Sequence, residues 1–318
     1  MDPDIRLDEI EAGVRWIHAD AAPDELELLV SEASLRVAMS KGKQPLSQQP
    51  LTAWHAGERM AGSYFKLLSG NVATLGGARA EPGWERVTAD LIVRQIELFS
   101  GLGLPQIQAI VRSDDVATAK MVQRAGMTLL TEIEHLWLDV SASHSLAASA
   151  SRMATSRWSA NSSSQPSTMR WRPAKILDDA NLAQLIDQTF AGTLDCPALN
   201  GRRTPEEVLA GFLDGRSLND SSLQWELLGV EPGFVGCLLL QAHDNELMEL
   251  VYMGLVPEAR GQGLGKAMVA WAIQTAHRSA CSTLVVAVDR GNWPAMNVYR
   301  DWGFQPRQCL QVWVVPNS

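Results

Sequence analysis

A chain of 318 residues, 46% apolar and 20% charged, is long enough for two ordinary domains with separate cores. Its formal net charge of −9 argues against a nucleic-acid partner, because phosphate binding rests mainly on Lys and Arg, and it suits a cationic one. The four cysteines (Cys196, Cys237, Cys281 and Cys309) form no C-x-x-C pair, no apolar run reaches the roughly 18 residues of a membrane span, and Met1 to Arg6 lacks the blocks of a signal peptide. The expectation is a cytoplasmic protein with no metal site, no membrane segment and no nucleic-acid partner.

In chain order, residues 13–18 read as a strand, 23–39 as a helix, and 51–55 with 60–68 as a hairpin. Residues 71–79 follow as a strand. Val87, Leu91, Ile92, Ile96 and Phe99 recur at helical spacing across 85–102, so a helix is expected there. A strand at 106–111, a short helix at 116–125 broken by Gly126, and strands at 128–132 and 135–140 complete the first half. Residues 141–168 are rich in Ser and Ala and read as a linker.

The second half repeats this order. A strand at 170–175 precedes a helix capped by Asp178 and running to Phe190. Thr204-Pro205-Glu206-Glu207 has the residues of a capping box with proline at the first helical position. A hairpin (224–230 with 234–242), a strand from Leu247 to Val256, a Gly-rich turn and a helix come next. Then follow a strand at 283–288, a helix at 293–302 ended by Gly303, and a strand at 310–315. Sliding the halves by 177 positions aligns Val111 with Val288, Asp115 with Asn292 and Gly126 with Gly303, so an internal duplication is expected. In that register Trp84, Arg86 and Thr88 stand where Gly261, Gly263 and Gly265 stand. The first half therefore lacks a phosphate cradle and reads as a structural or acceptor-shaping copy.

The Gly-rich turn is the sharpest chemical signal. Glycines let backbone N–H groups close on a polyanion, and a helix N-terminus adds partial positive charge. A dinucleotide fingerprint would need glycine where Lys266 or Met268 stands, and a P-loop would need Ser or Thr where Ala267 stands. The run Arg260-Gly261-Gln262-Gly263-Leu264-Gly265, preceded by Val256-Pro257 and opening a helix, instead resembles the coenzyme A pyrophosphate loop of the GNAT superfamily of acyl-CoA-dependent N-acetyltransferases. The run Asn292-x-x-Ala295-x-x-x-Tyr299-x-x-x-Gly303-Phe304 is similar to a second segment of that family.

The resemblance implies an α/β chain of two tandem GNAT-like domains, each a mixed, mostly antiparallel sheet flanked by helices. Their expected spans are 1–140 and 169–318, joined by the 141–168 linker. In its doubling the chain is similar to the mycothiol synthases, which pair one active with one less active copy. Acetyl-CoA is implied as co-substrate, held by Arg260, Gly261, Gln262, Gly263, Leu264, Gly265, Lys266 and Asn292. Backbone groups of Met253, Leu255 and Val256 are implied as contacts for pantetheine and the acetyl carbonyl. Tyr299 is implied as general acid and Glu249 as base, with Glu246 as its competitor on the other strand face. Glu249 is expected to share a face with Met253 and Leu255 if the strand is regular. The connection at 191–203 is implied as the acceptor pocket, where an Asp can bind an ammonium and Arg202 or Arg203 a carboxylate. Cys196 has no His in a recognisable local arrangement, so transfer to a small-molecule amine in a ternary complex is expected over an acyl-enzyme. The alternative from another class is a non-catalytic acyl-CoA-binding or sensing module.

Overall fold

Two short stretches of parallel pairing, each four residues long and each ended by a bulge, set the plan of the chain. In the computed structural model the described residues are 6–7, 49–55, 58–142, 170–230, 233–243 and 246–316. The expected strand at 13–18, the helix at 23–39 and the linker from residue 143 on lie outside them. The chain divides into unit 1, residues 1–130 with 310–318, and unit 2, residues 131–309.

Unit 1 holds strands β1 (Arg6–Leu7), β2 (Gln49–His55), β3 (Glu58–Leu68), β4 (Val72–Ala80) and β5 (Gln106–Arg112), with helices α1 (Glu85–Gly101) and α2 (Val116–Arg124). Its sheet runs β1-β2-β3-β4-β5 and is closed by residues 310–314 of β12 (Gln305–Val314). Only β4 and β5 pair in parallel, from Val72↔Gln106 to Leu75↔Ala109, and the β3 register slips just beyond, between Tyr64 and Phe65. Phe65, Ile92, Phe99, Val111, Met127 and Trp313 make its core.

Unit 2 starts within β6 (Thr128–Asp139). It holds β7 (Arg170–Pro173), α3 (Asp179–Phe190), α4 (Pro205–Leu213), β8 (Leu223–Val230), β9 (Gly233–His243), β10 (Leu247–Leu255), α5 (Leu264–Arg278), β11 (Thr283–Asp289) and α6 (Trp293–Asp301). Its sheet runs β6-β11-β10-β9-β8-β7, with β6 joining through Ile133–Asp139. Again one pair is parallel, β10 with β11 from Leu247↔Thr283 to Leu250↔Val286. Helices flank both faces of this mixed sheet. Met268, Ile273 and Tyr299 pack with Met248 and Leu250 on one side, and Leu182, Ile186 and Leu209 pack with Trp225, Leu227 and Leu239 on the other. A fully buried side chain of this size contributes about 1.5–3 kcal/mol, so these layers outweigh any single surface contact.

Helix starts follow the local chemistry. Asp178 accepts from the Asn181 amide at 2.8 Å, and the capping box at Thr204 is complete, with Glu207 N–H to Thr204 at 3.2 Å and Thr204 N–H to Glu207 at 3.0 Å. Asp115 and Asn292 cap α2 and α6 at positions 177 apart (292 − 115). Two strands differ from expectation. β6 is one strand, because alternate residues Leu136 and Leu138 stay buried while the ladder to β11 continues through Glu134 and Ile133. The closing strand begins five residues early, at Gln305. No helix among the described residues is long and apolar enough to cross a membrane.

Candidate active site

Strand β10 is paired on both sides only as far as Leu250. Its ladder to β11 ends there, while its ladder to β9 continues to Leu255↔Gly236 after a register slip between Leu250 and Tyr252. The Val256 amide donates to Val235 O at 2.9 Å. Opposed antiparallel residues alternate between bonded and non-bonded pairs, so Leu255 and Met253 turn their N–H groups away from β9, toward the side β11 has left. Two of the three expected backbone contacts thus face the opening; Val256 does not, because its amide is already used in the sheet. The split also needs Gly254. A Cβ there would lie 2.5 Å from both Thr189 Oγ1 and Tyr252 Oη, which are themselves 2.5 Å apart.

The Gly-rich turn follows through a short 3-10 turn at Pro257–Ala259. Gly261 and Gly263 take positive φ of 72° and 79°, a region that side chains resist. Gly263 is the N-cap of α5 and no side chain caps that end. The first amides of a helix have no partner within it, so this end offers donors and partial positive charge outward. A Cβ on Gly265 would meet only Val298 Cγ2 at 3.9 Å, so the fold itself does not demand glycine there. The room is available to whatever approaches the helix end, and a pyrophosphate fits that donor set. Gln262 Nε2 donates to Glu258 O at 2.7 Å and closes the turn, and Lys266 pairs with Asp301 at 2.6 Å on the exposed surface. Arg260 is placed differently from expectation. Its guanidinium donates to Leu255 O (3.0 Å), Gly192 O (3.0 Å) and Thr189 O (2.9 Å). Two of these carbonyls lie at the C-terminal end of α3, where the helix dipole favours a cation, and the third is on β10, so Arg260 ties β10 to α3 in place of pointing at a phosphate.

Helix α6 brings Tyr299 to the site, its Val298 lying next to Gly265. Tyr299 is 4% exposed and stacks at a tilt on Phe304 with centroids 5.3 Å apart. Burial, and then the charge of Asp195, push its hydroxyl pKa far above the usual value. Asn292 accepts from the Ala295 amide at 3.3 Å as the α6 cap.

Glu249 does not share a face with Met253 and Leu255. Met248 and Leu250 are buried against α5, so Glu249 takes the opposite face, and the bulge at Val251 returns Met253 and Leu255 to the α5 side. A one-residue bulge inverts every side chain beyond it. Glu249 accepts or shares a proton with His243 Nε2 at 2.8 Å, both side chains being a little over a third exposed. It lies opposite Val285, four residues before the end of β11 and so about 13 Å short of it. Glu246 is an exposed turn residue with φ 59° whose carbonyl accepts from Ser282 and Thr283.

Where β11 ends, the loop after α3 closes on it. Asp289, 3% exposed, donates its amide to Asp195 Oδ1 at 3.0 Å and accepts from the Cys196 amide through Oδ2 at 3.0 Å and from the Gly291 amide through Oδ1 at 2.7 Å. Cys196 between them holds φ 45°, a strained value for a residue with a side chain. Burial, then Asp195 and Asp289, push the Cys196 thiol well above its usual pKa, which keeps it a poor nucleophile. Burial also raises the Asp195 carboxyl, and Asp289 adds to that, while bonds from the Asp289 amide and Asn292 act the other way. This reciprocal clamp spans 94 residues (289 − 195), and nothing in the order of residues along the loop marks it.

Residues 193–304 match the Acetyltransferase (GNAT) family. A mycothiol acetyltransferase of Arthrobacter sp. (strain FB24) is 32% identical over 95 residues, 30% of this chain and 27% of that protein, so the match spans about a quarter of the relative. Among solved structures, a GCN5-related N-acetyltransferase from Sphaerobacter thermophilus superposes with a TM-score of 0.57 at 15% identity, over 88% of this chain and 84% of that one. A tandem GNAT protein from the clavulanic acid biosynthesis pathway superposes with a TM-score of 0.50 at 15% identity, over 86% and 85%. At these identities the structural likeness is one of fold. The split strand and the glycine-opened helix both fall within residues 193–304, the segment that matches this family.

Proposed function

We propose that unit 2 binds acetyl-CoA on the 260–266 turn and transfers its acetyl group to the primary amine of a small molecule, with both substrates bound together. One observation carries this reading. A 15-residue helix opens on glycine without a side-chain cap, directly beyond a strand whose Met253 and Leu255 amides face a gap in the sheet. Acetyl-CoA supplies an activated acyl group. The loop amides and the α5 dipole hold its pyrophosphate, while Met253 and Leu255 donate toward pantetheine and the acetyl oxygen, where charge grows during attack. Tyr299, kept protonated by burial, gives its proton to the departing thiolate. Glu249, paired with His243, takes the ammonium proton through water; as the C–N bond forms and the C–S bond breaks, the second amine proton returns to Tyr299. One proton is released per turnover. A non-catalytic acyl-CoA sensor would have no use for a buried, protonated tyrosine beside the loop.

We read the whole chain as two tandem GNAT-like copies. Each unit has a four-pair parallel ladder, a bulge beside it, and an Asp or Asn helix cap at matching positions. Four free cysteines support a reduced, cytoplasmic setting. The test is release of CoA thiol from acetyl-CoA across a panel of polyamines, arylalkylamines and amino sugars, with calorimetry of CoA binding. Thiol release that depends on one amine class is expected; absence of CoA binding would sink the reading.

A further inference from the structure

Where β10 leaves β11, the sheet frees acceptors as well as donors. Leu255 stands opposite Gly236 in a non-bonded pair, because the next residue, Val256, is the one that bonds to β9. Its N–H and its C=O therefore both point away from β9, into the gap. A bare carbonyl there would repel the oxygen of an acyl group, on which charge grows during transfer. Arg260 answers that carbonyl, donating to it through Nε at 3.0 Å. The guanidinium thus takes the bonding place at Leu255 that β11 has given up, and it brings a positive charge with it.

The same fork reaches across the sheet. The turn that Arg260 opens leads to α5 on one face, while its Nη1 and Nη2 donate to Gly192 O (3.0 Å) and Thr189 O (2.9 Å) at the end of α3, which packs on the other. Thr189, 3% exposed, is gripped a second time from β10. Its hydroxyl gives its one proton to Ile186 O at 2.6 Å, so it accepts from Tyr252 Oη at 2.5 Å. Resting on the acetyl-transfer reading above, we propose that Arg260 is a positioning residue for the acetyl group: it occupies the freed Leu255 carbonyl and braces the gap against α3, so that the Leu255 N–H meets the acetyl oxygen with no competing carbonyl beside it. Pinning the carbonyl also restrains the Leu255 backbone, which keeps its N–H aimed into the gap before the substrate arrives. This role needs the shape of arginine. Three separate nitrogens meet three carbonyls, and one ammonium nitrogen cannot stand in all three places. A cation that met the pyrophosphate would be served by lysine as a point charge.

The test uses the full chain with Arg260→Lys and Arg260→Gln. Calorimetry measures CoA affinity, and infrared difference spectra follow the carbonyl stretch of acetyl-CoA isotope-labelled at the acetyl carbonyl. In the unaltered protein that stretch is expected to move to lower frequency on binding, as a carbonyl polarised by N–H donors does. In both variants the shift is expected to be largely lost while CoA affinity stays within about threefold, since losing a charged hydrogen bond to phosphate would cost about 10-fold or more. A fall of about 10-fold in either variant overturns the proposal, and one confined to Arg260→Gln marks a phosphate-binding cation instead. A full shift in either variant overturns it as well. So does a variant that no longer melts cooperatively, because Arg260 then serves the fold and not the acetyl group. Absence of any shift in the unaltered protein with acetyl-CoA bound has the same force. Failure of CoA to bind the unaltered protein is a different result: it removes the acetyl-transfer reading, and this proposal falls with it.

Discussion

The helix that follows the split strand begins differently in the two units. In unit 1, α1 has Trp84 as N-cap, and the adjacent Glu85 carboxylate accepts from the Gly83 amide at 3.1 Å. In unit 2, α5 has Gly263 as N-cap and no side chain of its own to answer its amides. Both ends present the same dipole; one is met by the chain's own anion, and the other is left for an outside one. Backbone hydrogen bonds, its own and Gly83's, hold the Glu85 pKa below the usual value, as a carboxylate at such an end should be. Matching the N-caps sets Trp84 against Gly263, a two-residue shift from the register in which Trp84 faces Gly261. The difference teaches that two units can keep the same strand split while one helix start is answered by the chain's own carboxylate and the other is left open.

The strongest way to break this contrast is to give unit 2 the unit 1 residue. Gly263→Trp places a side chain at φ 79° and fills the approach to α5, and CoA affinity by calorimetry should fall about 100-fold or more. Retained affinity would show that the phosphates lie elsewhere. Tyr299→Phe should cut turnover by about 100-fold and leave CoA affinity within about twofold; unchanged turnover across the acceptor panel removes the acid assignment. Gly254→Ala forces apart Thr189, Tyr252 and β10, and chemical denaturation should show a loss of about 1–3 kcal/mol. The smallest effect belongs to Asp195→Asn. Its folded pKa is raised, so the native carboxyl contributes stability below its unfolded pKa and loses it as pH climbs through the folded value. The Asn variant should therefore melt no more than about 2 °C higher at neutral pH, with the gap closing as pH falls through the carboxylate range. A gap that widens toward acid would contradict the raised pKa.

What the sequence made legible is local. Asp178 and the Thr204 box cap the helices they were expected to cap, and the glycine run opens α5 as its spacing implied. These features depend on a handful of adjacent residues, so their chemistry is written in order along the chain. The failures are all matters of register between distant segments. Nothing in Leu247 to Leu255 marks Val251 as a bulge, since the slip is set by pairing with β9, and it alone moves Glu249 to the other face. Arg260 reads as a loop cation until Thr189 of α3 and Gly192 just beyond it, each about 70 residues away, bring carbonyls to its guanidinium. The Asp195 clamp is likewise visible only once β11 and the 191–203 loop meet.

The closing strands carry one further consequence, for where this chain can be cut. Residues 133–139 of β6 are the neighbours of β11, and residues 310–314 of β12 are the neighbours of β5. A fragment beginning at residue 169 would keep every residue of the Gly-rich turn and still leave β11 with an open edge, its buried Leu284, Val286 and Val288 beside unpaired amides. Such an edge is a template for another chain, so the fragment should aggregate before it could be assayed. Each half holds a strand in trust for the other, which makes the half without the Gly-rich turn a structural creditor of the half that has it.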